Sequence, residues 1–225
     1  VNMRWCAMRL GEDALLLRLG DGIDADTNAR VHALAARIDA ARPPWLRDLV
    51  PAYASLALFV DASACDGDDP LADAEAWLHA LPPDDGDPAS SQGALHEVPV
   101  RYGGEHGPDL DAVAEHAGLS PRQVIELHAD GEYRVAMLGF APGFPYLLGL
   151  DPALSMPRLA TPRTRVEAGS VGIGGEQAGI YPRPGPGGWR IIGRTEVVLF
   201  DPARDPPSLL APGDRLRFVP TGKLP

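Results

Sequence analysis

The chain has 225 residues, 45% of them hydrophobic, with 31 acidic against 20 basic side chains and a formal net charge of −11. That length suits one large domain or two small ones with real cores, and so acidic a surface excludes a nucleic-acid or anionic-membrane binder, since both need a basic face. No apolar run approaches the roughly 20 residues that span a bilayer, and there is no basic and apolar leader, so the sequence reads as cytoplasmic.

In chain order, Ala14 to Leu19 is a short apolar strand. Val31, Leu34, Ala35 and Ile38 recur at helical spacing and mark one face of a helix, which Pro43-Pro44 follows. Trp45 to Val50 and Ser55 to Val60 read as strands joined by a turn. Asp69-Pro70 supplies an N-cap and first-turn proline for a second helix carrying Leu71, Ala74, Trp77 and Leu78. The β-α-β-β-α order predicts a ferredoxin-like α/β sandwich over residues 1–81, with one strand unplaced. The polar, Pro- and Gly-rich stretch 82–94 predicts a linker.

Beyond it, Glu97 to Arg101 is a strand and Asp109 to Ala117 a short helix. Ser120-Pro-Arg-Gln123 has the form of a capping box opening a helix that ends near Gly131. Tyr133–Leu138, Arg190-Ile-Ile, Val197–Phe200 and Arg215–Val219 read as strands, the last after the turn signal Pro212-Gly-Asp. Short strands punctuated by Gly and Pro, with two helices, predict a closed β-barrel over 95–225. The fold class is therefore α+β, an α/β sandwich followed by a barrel.

Cys6 and Cys65 form neither a metal pattern nor a disulfide framework, and the six histidines give no HxxxH or HExxH. The run Gly169-Ser-Val-Gly-Ile-Gly-Gly175 lacks the lysine and following helix of a phosphate loop. It reads as close packing between barrel loops, with a non-standard nest of backbone N–H groups as the functional alternative. Arg158, Arg163, Arg165, Arg183, Arg190 and Arg194 concentrate positive charge in an acidic chain. Guanidinium grips carboxylate or phosphate through paired hydrogen bonds, against the bland reading of surface arginines paired with Glu167 or Glu196. Phe140, Phe144, Tyr146, Tyr181 and Trp189 lie in Gly/Pro segments and line a pocket or anchor a partner, with core packing favoured for Phe140. Ser170 has no GxSxG context and suits hydrogen bonding rather than attack. Gln177 offers a donor to a carbonyl oxygen. His106 and His116 flank Asp109, a weak acid–base pairing.

Gly139-Phe-Ala-Pro-Gly-Phe-Pro-Tyr-Leu147 resembles the GFxPGFPYL motif of the family formed by the B subunit of 5-oxoprolinase, also called the KipI or allophanate hydrolase subunit 1 family. Thr161-Pro-Arg163, Ala168–Ile173, Gly187-Gly-Trp189 and Ile192-Gly-Arg-Thr195 resemble its later signatures in order, and Gly107-Pro-Asp-Leu110 an earlier one. Glu167, Gly174, Ala178 and Arg183-Pro-Gly-Pro depart from the usual pattern and bear on substrate more than on fold. The resemblance implies a cyclophilin-like barrel. It also implies one part of an ATP-dependent enzyme that opens the lactam 5-oxo-L-proline to L-glutamate with ADP and phosphate. ATP would be shared with the partner subunits A and C, and the chain would be inactive alone, with no metal or biotin of its own. Substrate- or nucleotide-binding candidates are Phe144, Arg163, Arg165, Ser170, Gln177, Tyr181, Trp189 and Arg194. Arg163 and Arg194 would hold anions, Ser170 and Gln177 make polar contacts, and the three aromatics form a wall; no nucleophile or base is assigned. Alternatives within the resemblance are an inhibitor of a sensor histidine kinase and a carboxyltransferase-type subunit acting on another amide.

Overall fold

The computed structural model describes residues 5–65, 67–82 and 93–222. The chain divides into two compact units, residues 1–91 and 92–225. Residues 83–92 of the expected linker lie outside the described residues.

The first unit holds β1 (Cys6–Arg9), β2 (Ala14–Arg18), α1 (Ala25–Ala41), β3 (Leu46–Pro51), β4 (Ser55–Val60) and α2 (Pro70–Ala80). Its sheet runs β1-β2-β4-β3, antiparallel throughout. Alternation puts Leu15 and Leu17 of β2, and Leu56, Leu58 and Val60 of β4, on one face. There they meet Val31, Leu34 and Ile38 of α1 and Leu71, Ala74 and Leu78 of α2. The Asp24 side chain accepts from the Thr27 N–H to start α1, and Asp69 accepts from Ala72 N–H to start α2, each satisfying a donor that a helix N-terminus leaves open. The element order is ββαββα. A ferredoxin-like sandwich has its fourth strand after the second helix; here the strand beside β2 is β1, a hairpin partner that precedes it. Three of the four residues of β1 are exposed, so its sequence carries no apolar alternation.

The second unit is a closed barrel of seven strands in the order β10-β7-β6-β13-β5-β12-β9. These are β5 (Leu95–Tyr102), β6 (Tyr133–Leu138), β7 (Pro145–Leu148), β9 (Ser170–Gly174), β10 (Gln177–Ile180), β12 (Arg190–Arg194) and β13 (Arg215–Pro220). A separate ribbon pairs β8 (Arg163–Val166) with β11 (Gly185–Gly187). The helices α3 (Leu110–Ala117) and α4 (Pro121–Asp130) fall between β5 and β6, with α3 packing on β12 and α4 on β13. The Ser120–Gln123 capping box is formed in both directions. Val98 and Val100 of β5, Val135 of β6, Val171 and Ile173 of β9, and Phe218 of β13 build the barrel core. His128 of α4 is enclosed in it, its Nδ1 2.8 Å from the Tyr102 hydroxyl, with the Tyr133 hydroxyl donating to its carbonyl oxygen at 3.0 Å.

The expected strand Val197–Phe200 is not one. Among the described residues its ladder-like contact is a single bridge between Phe200 and Ser208. The Arg204 guanidinium donates to the carbonyls of Val198, Leu199 and Pro207, while Leu209 N–H donates to Leu199 O. Backbone groups that a ladder would have used are thereby satisfied within a loop. No helix among the described residues is long and apolar enough to cross a membrane.

Candidate functional site

The site is built around Trp189, at the entry to β12 and 5% exposed. Its indole lies where β9 and β10 present no side chains. A Cβ added at Gly174 would come within 2.6 Å of the ring, and one at Gly179 within 2.8 Å. This is the use of glycine for close approach, and within the run 169–175 it falls to Gly172 and Gly174. Gly174→Ala is expected to cost about 1–3 kcal/mol through overpacking against a rigid ring. Urea unfolding of the single variant and of Gly174→Ala in a Trp189→Leu background checks this: the cost should largely vanish in the second, and an equal cost in both would rule out the clash as its origin.

Phe144, buried beneath the GFAPGF turn, meets Trp189 edge-on with ring centroids 5.5 Å apart, and meets Tyr181 at 5.3 Å. Burial raises the pKa of the Tyr181 phenol, and a hydrogen bond from the Trp189 backbone opposes that shift. Phe140 departs from the core expectation. It is 65% exposed, at φ 61°, with its ring against those of Phe144 and Tyr181. The turn is tight: Ala141 N–H donates to Gly139 O and Phe144 N–H to Ala141 O. That geometry turns Phe140 outward at a left-handed position few non-glycine residues occupy. A niche of about 160 Å³ lies among Phe140, Phe144, Tyr146, Tyr181, Trp189 and Arg158, whose guanidinium carbon stands 5.6 Å from the Trp189 ring centroid.

A second, larger cleft of about 1100 Å³ is lined by Arg101, His106, Gly169, Arg194, Thr195 and Glu196. Arg194 Nε donates to Ala168 O at 2.9 Å. Arg101 lies 3.6 Å from Glu196, and His106 lies 3.7 Å from Glu105. Glu196 thus partly neutralises Arg101 in place.

The predicted site residues divide accordingly. Phe144, Tyr181 and Trp189 come together in the aromatic niche, and Arg194 lines the larger cleft. Arg163 is engaged elsewhere. Its Nη2 donates to Asp109 Oδ1 at 2.8 Å, and Asp109 Oδ2 accepts from Ile191 N–H at 2.6 Å. This pins the start of α3 to β12 and β8. Arg163 Nη1 is enclosed with no hydrogen-bond partner among the described residues. Arg165 is exposed and paired with Glu167, whose pKa is lowered chiefly by that hydrogen bond. Ser170 is buried on β9 opposite Arg194 of β12. Gln177 is buried on β10, and its Oε1 lacks a partner among the described residues.

The nest reading of the Gly run is overturned, because its donors are in use. Gly169 N–H donates to Tyr181 O, Ser170 N–H to Glu167 O and Gly175 N–H to Met156 O, and β9 is paired on both sides. The His106–Asp109 pairing is not formed either, since the carboxylate serves Arg163 and Ile191. Sequence reasoning missed Arg101, for which a strand position gave no signal, and passed over Arg158, whose place in the arginine group was the available one. Among the described residues no cluster of three His, Cys, Asp or Glu side chains forms a metal site.

The second unit is thus a closed barrel that carries an aromatic niche and an arginine-lined cleft. Residues 5–210 match the family described as carboxyltransferase domain, subdomain C and D. The chain belongs to this family and, within it, to the group formed by the B subunit of 5-oxoprolinase. It is 40% identical to the B subunit of 5-oxoprolinase from Bacillus subtilis, covering 97% of this chain and 94% of that one. It is 43% identical to the B subunit of 5-oxoprolinase from Escherichia coli O157:H7, covering 94% of each. The fold is that of part of Kluyveromyces lactis urea carboxylase, at a TM-score of 0.75 and 20% identity, covering 97% of this chain and 22% of that one. In another solved structure, 42% identical with a TM-score of 0.79, the chain spans 41% of the polypeptide.

Proposed function

We propose that this chain is the B subunit of a cytoplasmic, multi-subunit, ATP-dependent 5-oxoprolinase, contributing part of a site completed by the partner subunits A and C. The observation that carries the reading is near-full-length identity of 40–43% to proteins that bear this name. A weaker likeness to the urea amidolyase of Saccharomyces cerevisiae, 30% identical over 51% of this chain, supports amide chemistry as the common ground.

The site's chemistry fits a shared role. None of the barrel's described hydrogen bonds joins a Ser or Thr hydroxyl to a histidine, so the barrel offers no activated nucleophile of that kind. An unstrained lactam is a poor electrophile, and ATP supplies the driving force by phosphorylating the amide oxygen, which opens the carbon to water. The larger cleft has the volume for a nucleotide. With Glu196 beside Arg101, it suits a single anionic group better than a whole triphosphate. Arg194 keeps the rest of its guanidinium after donating through Nε and is the residue here that meets that group. The remaining phosphate-binding cations belong to the partners.

The test is ATP-dependent glutamate release from 5-oxo-L-proline by the complex co-expressed with this chain and without it. Activity only in the complete mixture is expected, with Arg194→Ala lowering kcat/KM by about tenfold or more, the worth of a hydrogen bond to a charged group. A soluble, assembled, inactive complex would sink the assignment and shift weight to a pure binding role.

A further inference from the structure

The aromatic niche has features that the larger cleft lacks. At about 160 Å³ it holds the equivalent of about five water molecules at some 30 Å³ each, too little for a nucleotide and enough for one small ring. Half of the residues that line it are aromatic. Arg158 is exposed, and among the described residues it has no carboxylate partner and no hydrogen bond. The neighbouring arginines Arg163, Arg165 and Arg190 are all engaged, by Asp109, Glu167 and Pro157 O. With its carbon over the Trp189 ring, the Arg158 guanidinium keeps a planar fork of N–H groups, the geometry that grips a carboxylate in two places. Phe140, 65% exposed at φ 61°, costs the free protein on two counts, as apolar surface in water and as backbone strain. Both costs sit at the rim of this niche.

We infer that the niche binds a small flat ring bearing a carboxylate, with the ring against the Phe140, Tyr146 and Trp189 surfaces and the carboxylate on the fork of Arg158. Carboxylate recognition is thereby assigned to Arg158 and not to Arg163 or Arg194, and the substrate ring is held apart from the larger cleft. The identity of that ring as 5-oxo-L-proline rests on the oxoprolinase reading; its class, a small-ring carboxylate, does not.

Two measurements test this. In the assembled complex, Arg158→Gln is expected to raise the KM for 5-oxo-L-proline about ten- to a hundredfold, the loss of charge-assisted hydrogen bonds, with the KM for ATP unchanged. Arg158→Lys should recover part of that loss through charge without the fork. In the second, saturation-transfer NMR on the full chain should detect 5-oxo-L-proline, should not detect pyrrolidinone, which is the same lactam without its carboxylate, and should lose the signal in Arg158→Gln. An active complex whose KM for the lactam ignores Arg158→Gln overturns the niche and leaves the oxoprolinase reading standing. An inactive complex in which this chain binds the carboxylated lactam through Arg158 upholds the niche while the reaction fails. Equal binding of pyrrolidinone, or none of either compound, overturns the niche.

Discussion

Acidification from pH 7 to about 4.5 is expected to remove roughly 2.5 kcal/mol from the stability of the barrel unit through His128 alone. Burial pushes the pKa of this imidazole from 6.5 down to about 3. The folded barrel therefore refuses a proton that the unfolded chain accepts. Stability conferred by the neutral ring is fully present above about pH 6.5 and is lost as the pH falls toward 3. The cause lies in the surroundings: Tyr102, Tyr133 and Phe218 enclose the ring, and the Tyr102 hydroxyl is the hydrogen-bond partner of Nδ1. Nε2 has no partner among the described residues that could share a positive charge. Other histidines of the barrel, His96, His106 and His116, lie in the same chain, so the difference between the wild type and a His128 variant, and not the window alone, isolates this ring. Urea unfolding at several pH values would measure it. Fluorotryptophan labelling would give Trp189, the one tryptophan of the barrel's sequence, its own fluorine NMR signal. His128→Gln keeps an acceptor for Tyr102 and should flatten the pH slope whatever it does to absolute stability. Equal slopes for both proteins would exclude His128 as the source.

Asp109→Ala is expected to destabilise the barrel by about 3 kcal/mol. The carboxylate is 9% exposed, and each oxygen has one task, holding Arg163 or the Ile191 N–H. Removing it strands both donors. Arg163 is 31% exposed, so water softens the loss and keeps it at the lower end for a broken buried pair. Asp109→Asn retains an acceptor for Ile191 and should cost about half as much. The companion change Arg163→Met should lower the urea midpoint while leaving the KM for the lactam unaltered. A raised KM with intact stability would instead return Arg163 to the anion-binding role its sequence context suggested.

How far the sequence could be read depended on the range of the interactions involved. Helix α4 was legible because Ser120, Pro121 and Gln123 lie within one turn, and β4 because alternation is local. The hairpin strand β1 was not, since an exposed edge carries no apolar signature. Val197–Phe200 misled because Arg204 supplies the donors a neighbouring strand would have brought. The site shows the same division. Phe144, Tyr181 and Trp189 could be recognised as aromatics set in Gly/Pro segments, and they do converge. The arginines could not be sorted, because whether a guanidinium is free depends on what the fold lays beside it. The partner of Arg163 is 54 positions away. Phe140 was misjudged because residue type favours burial, whereas the tight turn that reverses it belongs to the backbone.

The barrel is closed by β13 lying parallel to β5, with Arg215 opposite Leu95 and Pro220 opposite Val100. The segment around this seam is stapled by Ala94 N–H to Asp214 across 120 positions. At synthesis rates of about 5–20 residues per second, β5 leaves the ribosome roughly 6–24 s before its closing neighbour. Over that interval it is an unpaired edge on a nascent chain. Its outward residues suit the wait. Glu97 and Arg101 are charged, and Pro99 withholds an N–H that a stray strand would need. The seam whose strand β5 lends Pro99 and Arg101 to the larger cleft is thus also a timer, and β5 carries charge and a proline on the edge that waits for it.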